Sequence, residues 1–408
     1  MRFLAAVVVL LFCGGVRAEP PLVAASLDAL RAALSADTVC EYLDRNSAAL
    51  LIPEAFAPPV FGVDPHYKNK TARVIYVYEK SETSDKMVRR VVVRFAPDDR
   101  ENAVRIARLV AHLLRLHRQM FRRETAFPRE ASTANIWLVP SPNATTDIGG
   151  ETRDANVYIF AVSAIKTPIE LIRTVAHEWG HLTIPAARGY SEPEFDAAGY
   201  LGERLYLHAM TFPLRNTPPE PYSKDPAMLA ALIRYNERQT LPLMKRFADG
   251  GAFSPVLRGD GTEAMDYYIG MILSCYETFF AADYTVSLIG AALWSVGGEK
   301  PADFVRSLER EMAKHTGLGV YISQLPAHVP LAKGEYSLES LGNGEDVLTF
   351  AGSGTRTVAL RQVPGTEATK RRTGTVRITK PGWYRVTAAK GYTAFRLTRR
   401  KSNADATP

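Results

Sequence analysis

The apolar positions change period several times along the chain. An apolar run from Phe3 to Phe12 follows Arg2 and is too short to span a bilayer. Helical spacing then predicts two short helices, Leu27 to Leu34 and Val39 to Leu51, before a proline-rich stretch from Pro53 to Pro65. β-branched and aromatic runs predict strands at Ala72 to Tyr78 and Met87 to Phe95, joined by the polar loop Glu79 to Lys86. A long helix follows from Arg100 to Arg123. Its apolar face is built on Val104, Ala107, Leu109, Val110, Leu113, Leu114 and Leu116. Its arginines, with His112 and His117, read as a solvated face. Strands are predicted at Ile136 to Val139 and Val157 to Val162, with a loop from Pro140 to Asp154 between them. A helix then starts at Thr167-Pro168, a threonine cap with proline in the first position, and ends at Pro185.

Beyond Ser191 the pattern is mostly helical. Helices are predicted over Pro193 to Met210, Met228 to Ala248 with an interruption at Pro242, Thr262 to Phe280, Thr285 to Val296 and Pro301 to His315. Ser191 is read as the cap of the first of these, with Glu194 as its capping-box partner. After Pro330 the period falls to two. Short strands at 335–340, 347–351, 355–363, 373–379, 383–388 and 393–398 predict a small β-sandwich. The resulting division is 1–18 signal peptide, 19–60 N-terminal helical segment, 61–190 α/β subdomain, 191–330 helical lobe, 331–400 β-sandwich and 401–408 disordered tail. The fold class is α+β.

Composition changes this picture little. A chain of 408 residues with 46% hydrophobic residues can bury a sizeable core. Val16-Arg17-Ala18 is a cleavage site of the small-x-small kind, so the first 18 residues read as an export signal and the location as secreted or periplasmic. Cleavage would remove Arg2 and Arg17 and no acid, taking the net charge from +7 to +5. No basic run is interleaved with aromatics, which argues against nucleic acid as a partner. No later stretch predicts a membrane helix. Of the cysteines outside the signal, Cys40 and Cys275 form either one disulfide or two buried thiols, and neither lies in a C-x-x-C. Asn69-Lys70-Thr71 and Asn143-Ala144-Thr145 are glycosylation sequons.

The chemistry concentrates in His177-Glu178-Trp179-Gly180-His181. Histidines four apart share one helix face, so both imidazoles can reach one ion, and imidazole suits Zn²⁺. Glu178 lies beside the first ligand, placed to take a proton from a metal-activated water.

This motif, preceded by paired strands, a backing helix and two more strands, resembles the zincin metallopeptidases. The resemblance implies a mixed-sheet catalytic domain and a sheet edge, Val157 to Val162, that takes an extended peptide by strand addition. The metzincin branch places glycine and then histidine soon after the motif; Ile184 and Ala187 occupy those positions here. The gluzincin branch takes a glutamate from a following helix. Glu203, with twenty-one residues between it and His181, fits that pattern, and Gly199 and Gly202 would let its helix come close. Asp196, Glu194 and His208 are the other candidates for this third ligand. Asp196 could instead support a ligand, and Leu207 stands where the branch often carries a supporting aspartate. The branch also draws an oxyanion donor, a tyrosine or histidine, from its helical lobe. Tyr268 is preferred, then Tyr267, with Tyr276, His315 and His328 behind them. The implied function is an exported zinc-dependent peptidase with Glu178 as general base, acting on a peptide or protein substrate. The alternative is a catalytically inactive zincin-fold binding or structural protein.

Overall fold

The computed structural model describes residues 23–32, 38–44, 48–53, 62–71, 73–81, 84–121, 133–140, 149–211, 225–252, 254–279, 290, 292–293, 301–314, 319–322, 325–340, 347–352, 355–359, 361–362, 372–388 and 395–400. The expected signal peptide, the Asn143 sequon, His315 and the tail lie outside these residues, as does most of the helix expected at 285–296. The chain has an α+β fold of mixed sheets and helices.

The main sheet has eight strands. In spatial order seven of them run Thr38–Asp44, Ala48–Pro53, Arg73–Lys80, Met87–Phe95, Ala134–Val139, Asn156–Phe160 and Gly149–Arg153, and Val23–Ala24 pairs with the start of Met87–Phe95. The first two correct the expectation of a helix over Val39 to Leu51. That segment is two antiparallel strands, because pairing with the sheet overrides the helical spacing of its apolar residues. These strands extend the sheet, so the α/β unit begins well before residue 61.

The sheet is buried on both faces. Ile75, Val77, Val91, Val93, Ile136, Leu138, Val157 and Ile159 join the main core with Ile106, Leu113, Leu171 and Val175 of two helices. On the other face, Val74, Tyr76, Tyr78 and Val92 pack with Leu30 of a short helix, Leu27–Ala32. Further along, Trp137, Val139, Tyr158 and Phe160 pack against Tyr67. Burial on both sides explains why these strands read as near-continuous apolar runs.

The long helix Arg100–Phe121 crosses between the parallel strands Met87–Phe95 and Ala134–Val139. Its expected solvated face is in part a second contact face. His112 and His117 are both buried, and His117 Nδ1 lies 2.9 Å from the Tyr206 hydroxyl of a later helix. Burial, with Arg115 alongside, holds His112 down to about 3.

Two helices carry the site. The motif helix, Pro168–Thr183, starts as expected at the Thr167 cap, where Thr167 and Glu170 also form a reciprocal capping box. The facing helix is Ala198–Thr211. It begins five residues later than the Pro193 start expected from Ser191. Asp196 does the capping, accepting from the Ala198 N–H at 2.8 Å, while the Ser191 N–H donates to the Asp260 carbonyl at 2.6 Å. The two helices meet at glycines: a Cβ on Gly202 would stand 2.4 Å from Gly180 Cα. Neither position admits a side chain without moving backbone.

The rest of the lobe consists of Pro226–Tyr235, a π-helical turn at Asn236–Thr240, Leu241–Gly250, Thr262–Phe279 and Pro301–Lys314. The widened turn falls just before Pro242, whose missing N–H cannot continue a regular ladder. Cys275 on Thr262–Phe279 is a buried free thiol. The C-terminal unit is a sandwich of a five-stranded and a four-stranded sheet. It includes two strands that the helical reading passed over, Gly319–Ile322 and Ala327–Leu331. Among the described residues no helix is long and apolar enough to cross a membrane.

Gly202→Val should lower unfolding stability by roughly 2–3 kcal/mol through overpacking. Urea denaturation followed by circular dichroism measures this. A loss below about 0.5 kcal/mol, the range of ordinary surface substitutions, would mean that the helices do not meet here.

Candidate metal centre

His177 and His181 project from one face of the motif helix, their ring centroids 5.1 Å apart. Both turn Nε2 toward one carboxylate. His177 Nε2 is 2.7 Å from Glu194 Oε1, and His181 Nε2 is 3.2 Å from Glu194 Oε2. Each of the three residues offers a ligand atom within 4.8 Å of the others. Among the described residues this is the group of histidines and acids that could hold a metal ion.

The third member of the group is therefore Glu194 and not Glu203. Glu203 is buried, but its Oε1 accepts from Arg173 Nε at 2.7 Å and from the Tyr235 hydroxyl at 2.8 Å. Its Oε2 lies 3.5 Å from His177 Nδ1, on the far side of the ring from Glu194. Asp196 stands in the same relation to His181, 3.5 Å from its Nδ1. At these separations the two carboxylates sit at the outer limit of hydrogen-bond reach. They still favour a proton on Nδ1 and a free lone pair on Nε2, the tautomer a metal needs.

Glu194 reaches the imidazoles because the segment after the motif helix folds back on itself. The Ala197 N–H donates to the Ala187 carbonyl at 3.0 Å, and Arg188 and Asp196 form an isolated bridge. Glu194 thus lies on a loop, ahead of the helix that the sequence had placed it on. The missed signal was Asp196, a better cap than Ser191 for the helix that begins Ala198-Gly199.

Three observations fit a metal ion to these residues. Two imidazoles and one carboxylate are the donor set of a catalytic zinc site with an open position. Glu194 Oε2 is buried and lies within ion-pair range of His181 Nε2, at 3.2 Å, without a well-aligned hydrogen bond. A Cβ on Gly199 would stand 2.3 Å from His181 Nε2 and 2.5 Å from His177 Nε2. Glycine thus lets the facing helix lie directly against both rings, where any side chain would displace the Nε2 atoms.

The electrostatics show how strongly these groups are coupled. Burial disfavours the imidazolium forms. Hydrogen bonds from His177 to the Glu194 and Glu203 carboxylates outweigh that and raise its pKa to about 9. Asp196 and Glu194 do the same for His181, raising it to about 10. Burial also opposes the Glu194 carboxylate, but the two imidazoles pull it down to about 2.

Glu178 sits apart from that set. It is 5% exposed, and burial pushes its carboxyl above the usual carboxylate range against the opposing pull of His177 and His181. The Thr152 hydroxyl lies 2.9 Å from Glu178 Oε2 and 2.9 Å from its backbone carbonyl. Gly150 makes the room, since a Cβ there would stand 2.4 Å from Glu178 Cγ. Both residues belong to Gly149–Arg153, which the sequence reading left inside a loop. This strand is the sheet edge beside the motif helix, and Asn156–Phe160 is an internal strand with a partner on each side. The edge expected at Val157 to Val162 is corrected accordingly.

The expected oxyanion donors are spent elsewhere. The Tyr267 hydroxyl donates to the Gly251 carbonyl at 2.8 Å, and Tyr268 is 1% exposed with its ring edge-on to Phe304. Tyr276 is buried near His208. His208 is committed to Asn236 and Glu277, both at 2.7 Å, and His328 packs on Phe247. The tyrosine set against the centre is Tyr200, half-buried, its ring edge-on to His177 at 4.7 Å. It follows Gly199 directly, which is the sequence signal that could have found it.

No family model and no curated protein matches the chain. Among solved structures it is similar to aminopeptidase A of Legionella pneumophila in complex with aspartic acid, at 9% identity and a TM-score of 0.35. That likeness covers 76% of this chain and 36% of the other, so the chain spans about a third of that protein's length. So distant a likeness carries no argument about the site.

Gly199→Ala should remove stoichiometric metal while leaving the circular dichroism spectrum intact. Metal analysis of the purified variant checks this, and one equivalent of retained metal would show that the ion is held elsewhere.

Proposed function

We propose that the chain is an exported zinc-dependent peptidase in which His177, His181 and Glu194 hold the metal and Glu178 is the general base. The observation that carries this reading is the convergence of both Nε2 atoms on the Glu194 carboxylate. When bound, zinc would supply a Lewis acid that polarises the scissile carbonyl and activates a water.

The chain's own residues do the rest. Glu178 takes the proton of the attacking water at a carboxylate oxygen and passes it to the leaving amine. Its raised pKa suits both steps better than an ordinary carboxylate would. Thr152 fixes the rotamer of that carboxylate. Glu203, anchored by Arg173 and Tyr235, and Asp196, anchored by the Ala198 N–H, orient the imidazoles from behind. The outer edge of Gly149–Arg153 has no strand partner among the described residues and would hold an extended peptide by backbone hydrogen bonds. Tyr200, its ring edge-on to His177, is the candidate oxyanion donor. The inactive binding-protein reading draws on the burial of Tyr267 and Tyr268, which removes the expected donors.

Glu178→Gln should keep its metal and lose peptide hydrolysis by about 10²–10⁴-fold. A generic peptide substrate with and without chelator reads this out, and normal turnover by the variant would overturn the mechanism. Glu194→Ala should abolish stoichiometric metal binding, whereas Glu203→Gln should weaken it by about 10–100-fold, as removal of a group that orients a ligand does. Metal titration of the two variants decides between the carboxylates, and the reverse ranking would return the ligand role to Glu203.

A further inference from the structure

A cavity of about 520 Å³ lies between the helical lobe and the β-sandwich. It shares no lining residue with the metal centre and is large enough for a small organic ligand. Its walls are in good part apolar, including Met244, Phe247 and Pro326.

The charge of the lining is one-sided. Glu237, Asp249 and Glu277 face it, against Lys245 alone among lysines and arginines. Lys245 is paired with Asp249 at 2.6 Å, near the open rim where both are exposed. The lining histidine, His328, adds no charge at neutral pH, because burial and nearby Arg385 hold it down to about 4.

Glu277 is the deepest of these acids, at 4% exposure. One oxygen, Oε1, is 2.7 Å from His208 Nε2. The other, Oε2, is buried with no hydrogen bond. A buried carboxylate oxygen without a donor is costly, and a donor brought by a ligand relieves that cost.

We propose that this cavity is a binding site for an organic monocation, a primary ammonium on an apolar stem. The ammonium N–H donates to Glu277, and the stem lies along Met244, Phe247 and Pro326. An anion is excluded by the two surplus negative charges of the lining. A divalent metal is disfavoured because, among the described residues, these acids do not converge as the centre at His177 does.

The test uses the full-length chain and three probes of one length: hexylamine, hexan-1-ol and hexanoate, titrated calorimetrically at matched ionic strength. Hexylamine should saturate one site, hexan-1-ol should bind at least tenfold more weakly, and hexanoate should not bind. Met244→Trp fills the cavity and should abolish hexylamine binding with the circular dichroism spectrum and metal content unchanged. Glu277→Gln should weaken hexylamine at least tenfold and leave hexan-1-ol unaffected. If loss of the His208 contact unfolds that variant, Met244→Trp and the probe series still decide. Equal binding of amine and alcohol overturns the proposal, as does hexylamine binding that survives Met244→Trp. So does the absence of saturable hexylamine binding up to roughly 10 mM, well past the range of weak ligands. Because the readout is binding, it is independent of peptidase activity.

Discussion

Everything at the centre depends on how closely the motif helix approaches the facing helix. Gly180 and Gly202 meet backbone to backbone, and Gly199, one turn before Gly202, comes to lie opposite the two Nε2 atoms. Glycine inside a helix costs roughly 0.5–1 kcal/mol relative to alanine, and these two helices carry three. The offset comes from packing: Trp179, Leu201, Leu205 and Tyr206 are all at or below 1% exposure. Each such side chain contributes roughly 1.5–3 kcal/mol on burial. A short separation between helices is thus affordable in stability, and it lets Gly199 lie against both imidazoles.

That geometry concentrates charge. Four carboxylates, Glu178, Glu194, Asp196 and Glu203, surround two imidazoles in a largely buried site. Buried charges persist only when paired. The pairing here divides each ring, with Glu194 facing the Nε2 atoms and Glu203 and Asp196 facing the Nδ1 atoms. Arg173 and Tyr235 anchor Glu203 from outside. The result is a ring orientation fixed from behind, so Nε2 is left for whatever enters in front.

Much of this was legible in the sequence, and the failures have physical causes. The strands Arg73–Lys80 and Met87–Phe95, the long helix and the capped motif helix follow from apolar period and cap chemistry, signals that are local. The His177/His181 pair follows from helix geometry alone. The third carboxylate does not, because its position is set by where the next helix starts. Ser191 with Glu194 imitates a capping box, while tertiary contacts draw Ser191 to Asp260 and leave the cap to Asp196. One wrong cap moved Glu194 from loop to helix and promoted Glu203. The edge strand failed for another reason. Gly149-Gly150-Glu151-Thr152-Arg153 has no apolar face to announce a strand, since its role is to border a site rather than to fill a core.

On the peptidase reading, the composition of that edge strand links the base to a substrate. An edge strand made of small and polar residues is poorly suited to core packing, yet it lies along the motif helix. Gly150 gives Glu178 its space and Thr152 gives it a hydrogen-bond partner. The same five residues leave their outer backbone groups without a strand partner among the described residues. On the peptidase reading, a chain that pairs with this edge is held by the very element that positions the base. Substrate register and base geometry then share one rigid support, the sheet. Placement of a reacting carbonyl depends on that kind of rigidity, since displacement of about 1 Å can cost roughly 10²-fold in rate.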